Sequence, residues 1–517
     1  MHSFYRQPFE QQRRESAQRL IRYLRDYVGP FHPYLRRKYR EAGIDLNSLR
    51  EPQDIQRLPL IEKSDLASDP LMFILRPRTP GSPPLPEGFD TQPLPKAKLL
   101  KYVAQAIFNW PRDPLNDGRE FTLKEKIRRR GLLEWQPIHH HVSTGSTGNP
   151  TPVTFTHADL YERIAYIGST LLIPPHLPER ETFRQYDERS MSVFPGAPHI
   201  AFYAPLLVKL LAGYPTFETF GGAVIPTERQ IGIFANGAFN TLYAIPSYLV
   251  YWMRKARALQ MDGKIPPLKH WRRAVLGAEP VSDALRAYLI SLALELGADP
   301  GFRIFQTYGM TELKWTCPEC IAGGRIHLNQ RYFYWECLHP ETRQPVAEGE
   351  PGVLVFSHIG WRGTVLIRYW TNDLVKGGVL WRACPGCGFT FPSMQGPICR
   401  AVQDFTKLKG TRVDLQLLSE TVRATPGVRQ YQIILESEIP DDPFSRDRLV
   451  VHVALEPSAE PTTIGDSLRN RIKAVTEVTP DAVIFEADED VIETRLFART
   501  GVKAEYIVER RASRASA

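Results

Sequence analysis

The chain has 517 residues, too many for one ordinary hydrophobic core, so two or three domains are expected. Hydrophobic residues make up 43% and aromatics 11%, as in a folded chain with a large interior. The net charge of +8 suits small anionic substrates such as nucleotides as well as a polyanion. The basic residues are spread along the chain, with small clusters only at Arg128, Arg129 and Arg130 and within residues 510–514, each reading as a solvated face or tail. No run of 18 apolar residues is present, which excludes a transmembrane helix. The first residues, Met1 to Pro8, lack the apolar stretch of a secretion signal, so a cytoplasmic location is expected.

In chain order, residues 1–70 read as amphipathic helix, with Leu20, Ile21, Leu24, Tyr27 and Val28 at helical spacing. Residues 74–98 carry seven prolines and are expected to form an insertion wrapped over a surface. A short helix at about 99–109 and a basic segment from Lys124 to Arg130 follow. Residues 143–151 then bring together Ser143, Thr144, Gly145, Ser146, Thr147 and Gly148, closed by Pro150. So little side-chain bulk lets backbone N–H groups and hydroxyls fold around an anion. The segment lacks both the Gly-Lys-Ser/Thr ending of a Walker A loop and the GxGxxG spacing of a dinucleotide fold. Taken alone, it is also what a surface loop looks like.

From 150 to about 400, short apolar runs alternate with helical periodicity, which predicts α/β layers with ligands at the strand ends. The runs include Met191 to Phe194, Thr241 to Ile245 and Ala274 to Gly277; Gly352 to Phe356 and Thr364 to Arg368 mark a strand-rich region. After about 400 a smaller α+β unit is expected, with strands at Leu449 to Leu455 and Ala482 to Glu486 and a helix near 464–476. Two further stretches carry chemistry. Phe305 to Glu312 offers Tyr308 to stack on a base, Gly309 for close approach, Thr311 to reach a phosphate and Glu312 to hold Mg²⁺. In Arg368 to Leu374, Asp373 can accept from both hydroxyls of a ribose.

The six cysteines are too few for a disulfide framework. Four of them form two Cys-x-x-Cys knuckles, Cys317/Cys320 and Cys384/Cys387, separated by 63 residues. Four thiolates at that spacing suit a tetrahedral Zn²⁺ with no open position, hence a structural metal.

The three stretches, in this order, resemble the signature motifs of the adenylate-forming superfamily, and within it the phenylacetate–CoA ligases and CapK-like proteins. Supporting similarity lies in Leu58 to Leu66, Gly221 to Pro226, Ile245 to Tyr248 and Leu276 to Pro280. The resemblance implies an α/β fold: a large N-terminal adenylation domain of several layered subdomains, residues 1–400, and a small mobile α+β domain, residues 401–517. It implies that Ser143 to Thr147 hold the ATP β- and γ-phosphates and that Gly277, Ala278 and Glu279 line the adenine site with Tyr308 against the base. Thr311 would meet the α-phosphate, Glu312 the Mg²⁺ and Asp373 the ribose. Residues 401–410 are similar to the hinge of the family, with Gln403-Asp404 in place of two acids and Arg400 one residue out of register. Lys503, after one inserted residue, matches the lysine that bonds the carboxylate and α-phosphate. Relatives often place a histidine in the zinc pattern, which makes His327 a substitute ligand within the 317–387 region.

The implied activity is adenylation of a small carboxylic acid, aromatic in keeping with Phe194, Phe202, Tyr203, Phe217, Phe220 and Tyr243, with release of pyrophosphate and transfer to coenzyme A. Transfer to an amine or carrier protein is the alternative enzyme. A zinc-knuckle nucleic-acid binder is the non-enzymatic alternative, but no basic stripe with interleaved aromatics supports it. No membrane or nucleic-acid partner is expected. The proline-rich insertion reads either as a cap over the pocket or as a contact in a homodimer.

Overall fold

The computed structural model describes residues 7–78, 88–108, 118–142, 151–164, 188–196, 206, 209, 215–222, 224–320, 324–401, 405–408, 411–440, 445–498 and 504–511. Helices come first: α1 (Phe9–Tyr23), α2 (Pro33–Glu41), α3 (Lys63–Ser68), α4 (Lys96–Phe108) and α5 (Leu123–Trp135). Leu20 and Ile21 on α1, and Leu24 in the turn that continues it, are buried as their spacing predicts. α5 begins on a capping box, in which Thr122 and Glu125 each satisfy the other's backbone N–H. The described ends of the proline-rich segment pair with each other, Arg78 with Pro93, and Gln92 N–H bonds to Pro30 O, so they lie on the N-terminal helices.

A hairpin follows, β1 (Pro137–Val142) against β2 (Pro152–Thr156). Next comes a six-stranded sheet built from β3 (Ser190–Ser192), β4 (Thr216–Glu218), β5 (Thr241–Ala244), β6 (Arg273–Leu276), β7 (Arg303–Met310) and β8 (Trp315–Pro318), in the order β4-β3-β5-β6-β7-β8. All neighbours are parallel except β7 and β8. α6 (Thr227–Asn236), α7 (Pro246–Met261) and α8 (Asp283–Glu295) connect the parallel strands, the alternation the sequence predicts. Trp252, Trp271, Phe234 and Leu249 fill the core between these helices and the sheet.

A more antiparallel region follows: β9 (Ile326–His327), β10 (Phe333–Leu338), β11 (Gly352–His358), β12 (Tyr369–Val375), β13 (Val379–Leu380), β14 (Ser393–Met394) and β15 (Ile398–Arg400). It forms the sheets β10-β11-β12-β15 and β13-β14-β9. The strand predicted at Thr364 to Arg368 is instead buried irregular chain, and β12 starts only at Tyr369. Its backbone is satisfied piecemeal: Val365 N–H bonds to Phe73 O, Leu366 N–H to His358 Nδ1 and Arg368 N–H to Ser357 Oγ. Arg368 itself has φ +50°, outside any strand.

The last unit has its own core of Leu408, Leu418, Ile433, Val451, Val453, Leu468 and neighbours. It comprises the hairpin β16 (Phe405–Leu408) and β17 (Thr411–Asp414), then α9 (Leu415–Arg423), β18 (Val428–Ser437), β19 (Asp447–Leu455), α10 (Pro461–Thr476), β20 (Ala482–Phe485), α11 (Glu489–Phe497) and β21 (Ile507–Arg510). Its sheet runs β20-β19-β18-β21. Among the described residues, no helix is long and apolar enough to cross a membrane.

Candidate active site

The site lies where the parallel strands β5, β6 and β7 end, the edge at which open α/β sheets bind ligands. β6 leads into Gly277, and the Thr307 hydroxyl on β7 donates to Leu276 O at 3.2 Å. A Cβ at Gly277 would stand 2.8 Å from Thr307 Oγ1, so the two strand ends approach this closely only with glycine there. Ala278 follows at φ +72°, a conformation that costs a non-glycine residue energy and is typically held where a ligand site needs it. Glu279 then turns back: its carboxylate accepts from Ser247 N–H at 3.0 Å and from Ser247 Oγ–H at 2.9 Å, capping the start of α7. The sequence links Glu279 to the adenine site; in the structure its carboxylate joins the segment after β6 to that after β5.

Tyr308, near the end of β7, is 8% exposed and donates its hydroxyl to Asp373 Oδ2 at 2.8 Å. The other Asp373 oxygen meets Arg400 Nη1 at 3.2 Å, and Asp373 N–H donates to Thr371 Oγ1 at 3.0 Å. Register explains the pairing, because β12 and β15 place Asp373 opposite Arg400. Asp373 is therefore a strand residue mostly withdrawn from water, not a surface acid. Burial raises its pKa, and Arg400 and Tyr308 offset only part of that rise. Burial and then the Asp373 charge push the Tyr308 phenol far above its ordinary value, so it remains a donor.

Gly309 sits in the tight β7–β8 pair, where a Cβ would come within 2.8 Å of Trp315 O. Thr311 and Glu312 occupy the turn after β7, both buried. Tyr369, at the start of β12, faces the Glu312 carboxylate; burial first, and Glu312 next, raise its phenol far above its normal value. The Ser143 to Gly148 loop and Lys503 lie outside the described residues, as do Gln403 and Asp404. The hairpin leading into and out of that loop is described, with His140 Nδ1 2.9 Å from Thr154 Oγ1.

Two supports were not legible beforehand. Lys314, at φ +61° and fully buried, pairs with Asp159 at 3.1 Å. Asp159 also accepts from the backbone N–H groups of Thr156, Arg362 and Gly363, so it ties the chain after Glu312 to the chain after β2. Arg368 forms a two-pronged bond with Glu336, both at 3.0 Å, and donates to Leu58 O and Gln56 O. Ile61 N–H bonds to Arg368 O and Trp370 N–H to Ile61 O, which docks the segment Leu58 to Leu66 on β12. Nothing in the spacing of single charged residues separates such clamps from surface charge.

The knuckles correct one ligand. Cys320, His327, Cys384 and Cys387 bring one ligand atom each to within 4.8 Å of the others, and all four are buried. Cys317 is not among them. It pairs with Tyr308 across β7 and β8, and burial pushes its thiol up to about 12. Cys320 escapes the strand because β8 ends at Pro318. The Sγ atoms of Cys320 and Cys384 are 3.7 Å apart, and Cys387 Sγ is 3.3 Å from His327 Nε2. Tetrahedral zinc with Zn–S near 2.3 Å calls for S–S edges of about 3.8 Å, so the donor set fits that ion. The second knuckle turns on Gly388 at φ +68°, with Gly388 N–H bonded to Cys384 O.

No family model matches the chain. Among curated proteins it is 26% identical over 439 residues to the phenylacetate-coenzyme A ligase of Thermus thermophilus, covering 82% of this chain and 77% of that one. It is 24% identical over 474 residues to the Escherichia coli protein of the same name, covering 87% and 86%. Among solved structures, 2-hydroxyisobutyryl-CoA ligase in the postadenylation state matches with TM-score 0.67 and 16% identity over 98% of this chain and 91% of that one. The same ligase in its thioesterification state gives 0.57. With the Tyr308 and Asp373 motifs meeting at one sheet edge, the chain is similar in sequence and fold to the adenylate-forming superfamily, and within it to the phenylacetate–CoA ligases.

Proposed function

We propose that the protein is an ATP-dependent acid–thiol ligase acting on a small carboxylic acid and coenzyme A. A carboxylate oxygen attacks the α-phosphorus of ATP, the bond to the β-phosphate oxygen breaks, and pyrophosphate leaves. The coenzyme A thiol then attacks the acyl carbon and AMP leaves. The observation that carries this reading is the Tyr308–Asp373–Arg400 cluster beside the Gly277–Ala278 turn. There a buried ring, an acceptor for ribose hydroxyls and a glycine-lined strand end meet at one place. Such a site works by positioning and charge neutralisation, with Thr311 toward the α-phosphate and Glu312 toward Mg²⁺. Ser143 to Thr147 would hold the departing pyrophosphate, and Lys503 would bond the reacting oxygens.

The acid we assign is aromatic. The names of the sequence relatives support this, as does Phe194, whose ring is 3.6 Å from where a Cβ on Gly277 would lie. Tyr243 is buried in the same sheet, whereas Phe220 is half exposed at φ +60° and Phe202 and Tyr203 lie outside the described residues. Cys320, His327, Cys384 and Cys387 would hold one structural Zn²⁺ that clips the chain after Glu312 to the chain after Asp373. With four protein ligands it takes no part in the reaction. The test is acid-dependent exchange of labelled pyrophosphate into ATP across aryl and alkyl acids. Exchange with arylacetic or benzoic acids supports the reading; its absence with every acid refutes it.

A further inference from the structure

The joint between the two units carries an ion-pair cluster to which the motifs assign nothing. One face of α7 presents Tyr248, Tyr251, Arg254 and Lys255 at spacings of three and four residues. One face of α11 presents Glu489, Asp490, Glu493 and Phe497. Arg254 Nη1 lies 3.1 Å from Glu489 Oε2 and 3.2 Å from Glu493 Oε1, and Lys255 Nζ lies 3.3 Å from Asp490. Tyr288 on α8 accepts from Arg254 Nε at 3.2 Å, which fixes the guanidinium from its own side. Phe497 closes the contact, 5.8 Å from the Tyr248 ring and 5.4 Å from the Tyr251 ring.

The cluster has a definite polarity. Glu489 and Asp490 fill the first turn of α11, whose end would otherwise present partial positive charge to two cations. It is also partly dry: Glu493 is 4% exposed and Glu489 15%, so these pairs are less screened than surface ones. Finally, it is connected to the site. α7 starts at the Ser247–Glu279 bonds, and Arg254 lies two turns on, about 10 Å along the same rigid helix. Glu279 is also among the charges acting on Arg423 and Tyr506, both in the C-terminal unit.

We propose that Arg254 and Lys255 are positioning residues that, through Glu489, Asp490 and Glu493, hold the C-terminal unit in the pose seen here, and that this pose serves adenylation. The second clause rests on the ligase reading above. It agrees with the closer superposition on the postadenylation chain, TM-score 0.67, than on the thioesterification chain, 0.57. The latch must hold one pose and still release, which a few half-buried ion pairs allow and a large apolar interface would not.

The test uses the full-length protein with spin labels on a ketone-bearing unnatural amino acid at the exposed positions Met261 and Val475, leaving every cysteine in place. One variant is Arg254→Gln with Lys255→Gln. A second, which spares the buried pair, is Lys255→Glu, with Lys255→Glu plus Asp490→Lys as its rescue. The inter-label distance distribution should be narrow in the parent, broad in the first two and narrow again in the rescue. Pyrophosphate exchange should fall about fivefold in the double glutamine variant, while thioester formation from supplied acyl-adenylate falls less than twofold. An unchanged distance distribution overturns the latch. Equal loss of both half-reactions overturns its assignment to adenylation. If the parent shows no exchange with any acid, the ligase reading fails instead, and the distance distributions alone decide the latch.

Discussion

At the scale of single residues, Asp373 is a buried carboxylate maintained at a cost. Its carboxylate is mostly buried with its pKa raised, so the folded state binds the proton more tightly than the unfolded chain does. Its contribution to stability is therefore complete only at low pH and is lost as pH rises through the raised value. Asp373→Asn keeps an acceptor for the Tyr308 hydroxyl and leaves Arg400, whose side chain is 61% exposed, in water. The variant should melt at or above the parent temperature at pH 7.5 while losing at least tenfold in ATP affinity, read by calorimetric melting and nucleotide titration. A large fall in melting temperature would make Asp373 a structural residue. The knuckles offer a second residue-scale prediction. Cys317→Ser should retain about one zinc per chain, whereas Cys320→Ser and His327→Ala should each lose most of it, by metal analysis after gel filtration. The cysteine spacing in the sequence predicts a metal centre but does not pick out the four side chains that the fold clusters. What separates Cys317 from Cys320 is that β8 pairs with β7 as far as Pro318, a long-range fact.

Elements were legible where a local period decides them. The N-terminal helical stretches, the parallel strands at Ser190, Thr241 and Arg273 and the C-terminal strands β19 and β20 lie where the apolar pattern puts them, whereas β18 and β21 were not foreseen. The run from Thr364 to Arg368 misled because an apolar stretch reads as a strand whether its backbone bonds to a neighbouring strand or to scattered partners. The clamp around α4 and α5 was equally invisible. Lys98 and Arg362 both reach Glu134 Oε1, at 3.3 and 2.9 Å, and Tyr102 donates to its other oxygen. Burial opposes ionisation of Glu134, but Arg362, Lys98 and Tyr102 outweigh it and hold the pKa down at about 2. A carboxylate depressed in the folded state adds stability that is present above its unfolded value of 4.5 and lost as pH falls through about 2. The parent should therefore lose denaturant stability progressively between those two values, and Glu134→Gln should flatten that part of the curve while lowering stability at pH 7. An unchanged acid limb would show that the clamp contributes nothing in that window.

At the scale of the molecule, residues far apart in the chain meet because parallel strands end on one edge. The Gly277–Glu279 turn, Tyr308 and Asp373 are joined there by bonds spanning 32 and 65 positions, Ser247 to Glu279 and Tyr308 to Asp373. Each motif is weak when read alone, and their order carried the identification; the geometry adds why Asp373 is aimed and which elements brace it. The C-terminal unit packs on the same framework through α7, where Arg254 and Lys255 meet Glu489, Glu493 and Asp490. The most direct measure of this account is the product ratio with an arylacetic acid, Mg²⁺, ATP and coenzyme A. One AMP, one pyrophosphate and one thioester should form per ATP consumed, and acyl-adenylate alone should accumulate when coenzyme A is withheld. Formation of ADP and phosphate, or AMP release independent of the acid, would contradict it.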